Sequence, residues 1–260
     1  MYLEIFIYRA KQIWQYKLAI FSSLPLYFLR GLLSISILMA FNSLSLDLEQ
    51  RGELINYIWI QTCLAPFISS WIIDNDLAIL IKSGDIACDY MKPVNLYWSW
   101  FTRLISQRFF TGVISSLPLL LIVGFFPIEY RLVLTISMER GFIIFLAILL
   151  ALILNTVLSL LVYISVFHTL SIIGSLLVFG SVVEFCGGLV LPFTLFPDSL
   201  KQVLSLLPFK YGIAYPIQLV SGNTGELSGI FFQVIWILLL IACGQRWLNA
   251  NLKQIIVQGG

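Results

Sequence analysis

The chain has 260 residues, of which 60% are hydrophobic and only 11% charged, and its net charge is +2. A soluble domain carries about 25% charged residues to cover its core, so composition excludes an ordinary soluble fold, and mean hydropathy is +0.97. So small a net charge offers no electrostatic footprint for nucleic acid; four scattered cysteines and one histidine, His168, form neither a disulfide framework nor a metal set.

Residues 2–17 predict an amphipathic helix lying on the membrane. At 100° per residue, Leu3, Phe6, Ala10 and Ile13 fall on one side and Glu4, Lys11 and Gln15 on the other. The alternative is an extension of the first span. Charges mixed through Met1–Lys17 and the lack of a small-residue cleavage site argue against a signal peptide.

Apolar runs of about twenty residues then recur, each long enough to cross the roughly 30 Å hydrocarbon core as a helix. They predict an all-α, single-domain membrane protein with six spans, at about 18–41, 54–73, 104–126 (with a start several residues earlier as the alternative), 141–167, 170–191 and 227–247. If the N terminus is cytosolic, the cytosolic side holds Arg9, Lys11, Lys17, Lys82, Lys92, Arg103, Arg108, Arg246 and Lys253. The opposite side holds Arg51, Arg131, Arg140, Lys201 and Lys210, accompanied by several carboxylates. The positive-inside tendency therefore places both termini in the cytosol. Tyr97, Trp98, Trp100 and Phe101 cluster where the third span meets that interface.

Residues 74–95, between the second and third spans, are dense in start and stop signals. Asp74 or Asp76 can cap a short helix that Gly84 ends, and Asp85 can cap a second that stops before Pro93. The product is a compact cytosolic knob built to be gripped. Gly84-Asp85-Ile86-Ala87, Asp89 and Lys92-Pro93-Val94 resemble the corresponding stretch of ABC-2 family exporter permeases. The resemblance implies a coupling helix that fits a groove on a separate ATPase, with Gly84, Asp85, Ile86, Asp89, Lys92 and Pro93 as the coupling residues. It also implies two ATPase copies carrying ATP and Mg, with no cofactor on this chain. The membrane pathway would be shared with a second permease, identical or paralogous, in a bacterial inner membrane.

Residues 192–226 are too apolar for a free loop, yet their prolines forbid a continuous span. Short helices dipping back into the outer leaflet, one over Ser199–Leu207 ended by Pro208, reconcile the two. The pattern of Pro192, Phe196-Pro197 and Pro208-Phe209 before the last span also resembles these permeases, and implies an external gate.

Inside the predicted spans, Glu184 shares a face with Gly180, Gly187 and Gly188, which points it at protein rather than lipid. A mid-membrane carboxylate costs several kcal/mol unless paired, protonated or hydrated, so it is a functional candidate; a structural, neutral role is the alternative. Arg30 either pairs with Glu184 or snorkels to the interface, with Pro25 marking the true start of the span. Thr62, Pro66, Ser69 and Ser70 form one polar stripe, and Asn155, Ser159 and Tyr163 another; such stripes join helices or line a pathway. The chain has no G-x-x-x-x-G-K-[S/T], H-E-x-x-H or G-x-S-x-G motif, so it is not expected to be an enzyme. An ion-coupled secondary transporter using Glu184 is the rival to the exporter reading.

Overall fold

The computed structural model describes residues 1–42, 48–69, 73–83, 93–127, 132, 138–169, 171–222 and 228–258. Among them the chain is all-helical. The helices are α1 (Tyr2–Gln15), α2 (Lys17–Phe21), α3 (Leu24–Asn42), α4 (Leu48–Ile68), α5 (Asn75–Ser83), α6 (Leu96–Gly124), α7 (Met138–Thr169) and α8 (Ile172–Gly187). A 3-10 turn at Phe193–Leu195 leads to α9 (Asp198–Leu204), α10 (Pro208–Gly212), α11 (Ala214–Val220) and α12 (Ser228–Gln258).

Among the described residues, four stretches are long and apolar enough to cross a bilayer: Lys17–Ala40, Leu96–Gly124, Arg140–Thr169 and Ser228–Lys253. Helices also stand at the other two predicted places. α4 has 21 residues but carries Arg51, Glu53, Asn56 and Gln61, and α8 is apolar but only 16 residues long. Leu29, Leu33, Phe142, Phe145, Val178, Phe231 and Leu238 are all exposed on the bundle exterior, a surface suited to lipid rather than water.

Several boundaries differ from the sequence reading. The first span is broken at Ser22–Ser23, just before Pro25, so that α2 and α3 are separate helices. α4 ends at Ile68, short of residue 73. α6 starts at Leu96 instead of 104 because Asn95 caps it, accepting from the Trp98 backbone N–H at 3.3 Å. That early start carries Tyr97 and Trp100 into the bundle, 2% and 0% exposed, rather than into an interfacial belt. α8 stops at Gly187 because Gly188 takes the left-handed conformation, φ +85°, which ends helices at little steric cost only for glycine. α12 runs on to Gln258, past the predicted end at 247. In the proline-rich stretch the helix predicted over Ser199–Leu207 is α9, Asp198–Leu204, and Pro208 opens α10 at its first turn.

α7 is the central element. Its span is 61% buried, the largest share among the four, and it touches α4, α5, α6, α8, α10, α11 and α12. Towards one end its Leu160 and Ile164 pack in a cluster with Leu77, Tyr97, Trp100 and Leu248. Towards the other, Ala151 joins Trp59, Val183, Ile213 and Ile217. Thus α10 and α11 lie against the bundle, with Ile213, Ala214 and Ile217 fully buried.

α1 does not present one undivided apolar face. Phe6 packs its ring on Phe110 at 5.5 Å, the Phe6 carbonyl accepts from Ser106 Oγ at 2.9 Å, and Ile13 is buried. Leu3, Ile7 and Trp14 instead point outward, between 44% and 70% exposed. The predicted grouping of Leu3 with Ile13 is therefore split: α6 covers one edge of the apolar arc, and the other edge is left for lipid.

Candidate functional site

The side chains that stand out are polar and buried. The first group lies where α1, α5 and α6 meet. Asp74 precedes α5 and caps it, its Oδ1 accepting from the Leu77 backbone N–H at 3.1 Å. Arg9 of α1 donates to both Asp74 carboxylate oxygens, at 2.8 and 2.6 Å, and Arg103 of α6 donates from Nε at 3.3 Å. Asp74 is 2% and Arg9 8% exposed, so the carboxylate sits between two guanidinium groups largely out of water. Asp76 adds an outer contact to Arg9 at 3.1 Å but is itself open to solvent.

From Asp74 a row of buried hydrogen bonds, carried by side chains one turn apart, runs along α7. The Asp74 backbone N–H donates to the Tyr163 hydroxyl at 2.7 Å. One turn away, Ser159 Oγ accepts from Arg108 Nη2 at 2.7 Å and donates to the Asn155 carbonyl at 2.9 Å. One turn further, Asn155 Nδ2 donates to the Gly212 carbonyl of α10 at 2.7 Å and to the Ala151 carbonyl at 2.9 Å. Gln233 of α12 closes the far end, its Nε2 bridging the Ala147 carbonyl at 3.1 Å and the Tyr211 carbonyl at 2.9 Å. Residues 147, 151, 155, 159 and 163 are spaced by four, so they trace a row that winds about 160° round α7 from end to end. The column they make spans about 24 Å at 1.5 Å per residue.

Arg108 is the unexpected member. Sequence reading put it among the cytosolic surface charges, yet it is 2% exposed, inside the bundle. It donates to the carbonyls of Phe67 (3.3 Å) and Ser69 as well as to Ser159. α4 has just ended, so these carbonyls have lost their helical donors, and the guanidinium caps the negative end of the helix. The correction follows from the register of α6: with the helix starting at Leu96, residue 108 lies about 18 Å inside it. A position drawn from a start at 104 looks like a surface.

Glu184 is also buried, at 5% exposure, and accepts from Ser69 Oγ at 3.2 Å. Ser69 therefore bridges Arg108, through its carbonyl, and Glu184, through its hydroxyl. Gly187, one turn along, allows Ile213 of the α10–α11 junction to press against α8: a Cβ there would lie 2.5 Å from Ile213 Cδ1. Arg30 is exposed and forms no ion pair with Glu184, though Tyr27 lies within electrostatic reach of both. Thr62 bonds back to the Ile58 carbonyl of its own helix at 2.7 Å and packs beside Gly31. Asn155 Oδ1 and Gln233 Oε1 are buried without a donor, each a cost of about 1–3 kcal/mol.

In the proline-rich stretch, Phe196 and Phe193 are both 4% exposed and pack edge to face, with Phe196 also against Phe185 at 5.5 Å. Pro192 and Pro208 are buried, while Pro197 is exposed and caps α9. Phe209 is half-buried against Phe179 at 6.3 Å. Of the predicted coupling residues, Pro93 is exposed; Gly84, Asp85, Ile86, Asp89 and Lys92 lie outside the described residues. Gly212, Gln233 and the anchoring role of Asp74 escaped the sequence reading. Only the spacing of Asn155, Ser159 and Tyr163 hinted at the column.

The fold and the column define a multi-pass helical membrane protein whose central helix makes buried polar contacts with elements towards both of its ends. Residues 57–259 match the model of the ABC-2 family transporter proteins, and the chain belongs to that family. It is thus a permease, the membrane component of an ABC transporter. No curated protein matches the chain.

Proposed function

We propose that the chain is one permease subunit of an ATP-driven exporter, pairing with a second permease to enclose the substrate pathway. All six predicted spans cross the bacterial inner membrane, and both termini face the cytosol. A separate ATPase, present in two copies that hold the ATP and Mg, grips residues 84–93. Its closure moves that loop and, with it, α5. The observation that carries this reading is that one helix, α7, is bonded to both elements: Tyr163 accepts from the backbone N–H of Asp74, the cap of α5, at 2.7 Å, and Asn155 two turns away donates to Gly212 of α10 at 2.7 Å. A displacement of α5 is therefore passed to α7 at Tyr163, and from α7 at Asn155 to α10, within the stretch where Pro192, Phe196, Pro197, Pro208 and Phe209 form the external gate. Thr62, Asn155, Ser159 and Glu184 act as parts of this moving framework rather than as cargo contacts: Thr62 bonds back to its own helix, while Ser159, Asn155 Nδ2 and Glu184 meet Arg108, the Gly212 carbonyl and Ser69 of other segments.

The test is co-purification with the ATPase encoded beside it, followed by ATP hydrolysis. Gly84→Arg and Lys92→Glu are expected to weaken the complex and abolish permease-dependent stimulation; wild-type association and hydrolysis in both would refute the coupling. The ion-coupled alternative rests on the buried Glu184. Glu184→Gln is expected to transport with an unaltered pH profile, and loss of a pH dependence present in the wild type would favour that alternative.

A further inference from the structure

On the membrane side of the bundle, α4, α6 and α7 leave a crevice of about 480 Å³. Its walls are almost wholly apolar: Leu64 and Phe67 from α4, Val113 and Leu120 from α6, and Ile144 and Ile148 from α7. Along α6 it extends from Phe109 to Leu120, about 16 Å at 1.5 Å per residue. One leaflet of hydrocarbon is about 15 Å thick. The crevice begins near the level of Arg108 and runs away from α1 and α5, towards the end where Val220 of α11 joins its lining.

Arg140 stands at that end. It opens the apolar stretch of α7, so it lies at headgroup depth. It is one turn before Ile144 and two before Ile148, on the same helical face. Its side chain is exposed and has no carboxylate partner among the described residues.

An acyl-length apolar slot with an exposed arginine one helical turn beyond its Ile144 wall matches one ligand chemistry. We propose that the crevice holds one acyl chain of a glycerophospholipid of the leaflet opposite α1, with Arg140 contacting its phosphate. Bilayer lipid is the surrounding solvent, so the site fills by mass action wherever no protein covers it. The bound chain completes the packing among Phe67, Val113 and Ile148 and leaves no void beside α4.

The test uses the delipidated full-length protein in detergent, titrated with dioleoyl phosphatidylglycerol and read by native mass spectrometry. One tightly bound lipid per chain is expected. Arg140→Gln is expected to weaken it about tenfold, the loss of one charge-assisted contact. Ile148→Trp from the α7 wall and Leu64→Trp from the α4 wall, each filling the slot, are expected to remove it. They are read only in variants that elute and melt like the wild type, and Arg140→Gln, a surface change, decides the matter if neither does. Glycerol 3-phosphate is expected not to bind, which separates a lipid from a free phosphate. Lipid binding unchanged in Arg140→Gln or in a folded slot-filling variant, or glycerol 3-phosphate binding as tightly as the lipid, would overturn the proposal. So would disulfide cross-linking of Leu117→Cys between two copies in membranes, which would make the occupant a second copy of this chain.

Discussion

Replacing Asp74 by asparagine isolates one interaction with unusual clarity. Asn is as good as Asp at an N-cap, so the bond from the Leu77 N–H survives and α5 keeps its start. The charge does not survive. Arg9 and Arg103 then face an amide in a pocket where Arg9 is 8% and Asp74 2% exposed. Removing one partner of a buried ion pair costs about 3–5 kcal/mol. Asp76 cannot replace it, because that side chain is 61% exposed and a solvated pair contributes at most about 1 kcal/mol. At about 2–4 °C per kcal/mol, the melting temperature should fall by about 6–20 °C. Because Arg9 is the buried ionic link of α1, loss should concentrate there. Hydrogen exchange in detergent should show residues 2–15 losing protection at least about tenfold, the equivalent of 1.4 kcal/mol, while α7 changes far less. Asp76→Asn is the control and should shift melting by no more than a few degrees. Unchanged melting and unchanged protection of α1 in Asp74→Asn would refute the view that this carboxylate holds α1 to the bundle.

Other substitutions probe the packing. Gly112→Ala should destabilise by about 1–3 kcal/mol, because a Cβ at that position would overlap the Phe67 ring; a thermal melt of the purified protein checks it. Gly188→Ala should cost about 1–2 kcal/mol from its left-handed backbone alone, and more because its Cβ would lie 3.1 Å from Phe193 Cβ. An unaltered melt would show that α8 does not need this stop. Tyr163→Phe removes one hydroxyl and leaves the buried Asp74 N–H without that partner, a loss of about 1–3 kcal/mol that the same melt would register.

Periodicity and run length made the helices legible, because each apolar stretch long enough to span a bilayer announces itself without knowledge of its neighbours. A start signal was legible where the physics is local, as with Asp74, one of the two candidate caps of α5, whereas α9 ends at Leu204, short of the predicted stop at Pro208, which opens α10 instead. What escaped was register and partnership. Arg108 looks like any interfacial arginine until the Asn95 cap fixes where α6 begins, and then it falls against the spent carbonyls of α4. Arg9 looked like one positive charge among several, and its burial depends on Asp74, 65 residues away. Gln233 bonds backbone carbonyls of two other elements, so no side-chain pattern marks it. The polar stripe on α7 was visible by spacing, but the choice between joining helices and lining a conduit needed the bond partners.

In the proposed coupling, movement at the α5 end reaches the α9–α11 stretch by way of α7 and its Asn155. Spin labels at Leu206→Cys, a 73% exposed site beside α9, measure it directly in the complex with the ATPase, by pulsed EPR on protein whose native cysteines are replaced. ATP-vanadate should shift the distance between the labels of the two permeases in the wild type but not in Asn155→Leu, which cannot donate to Gly212. The same nucleotide-driven shift in both proteins, or no shift in either, would contradict the account.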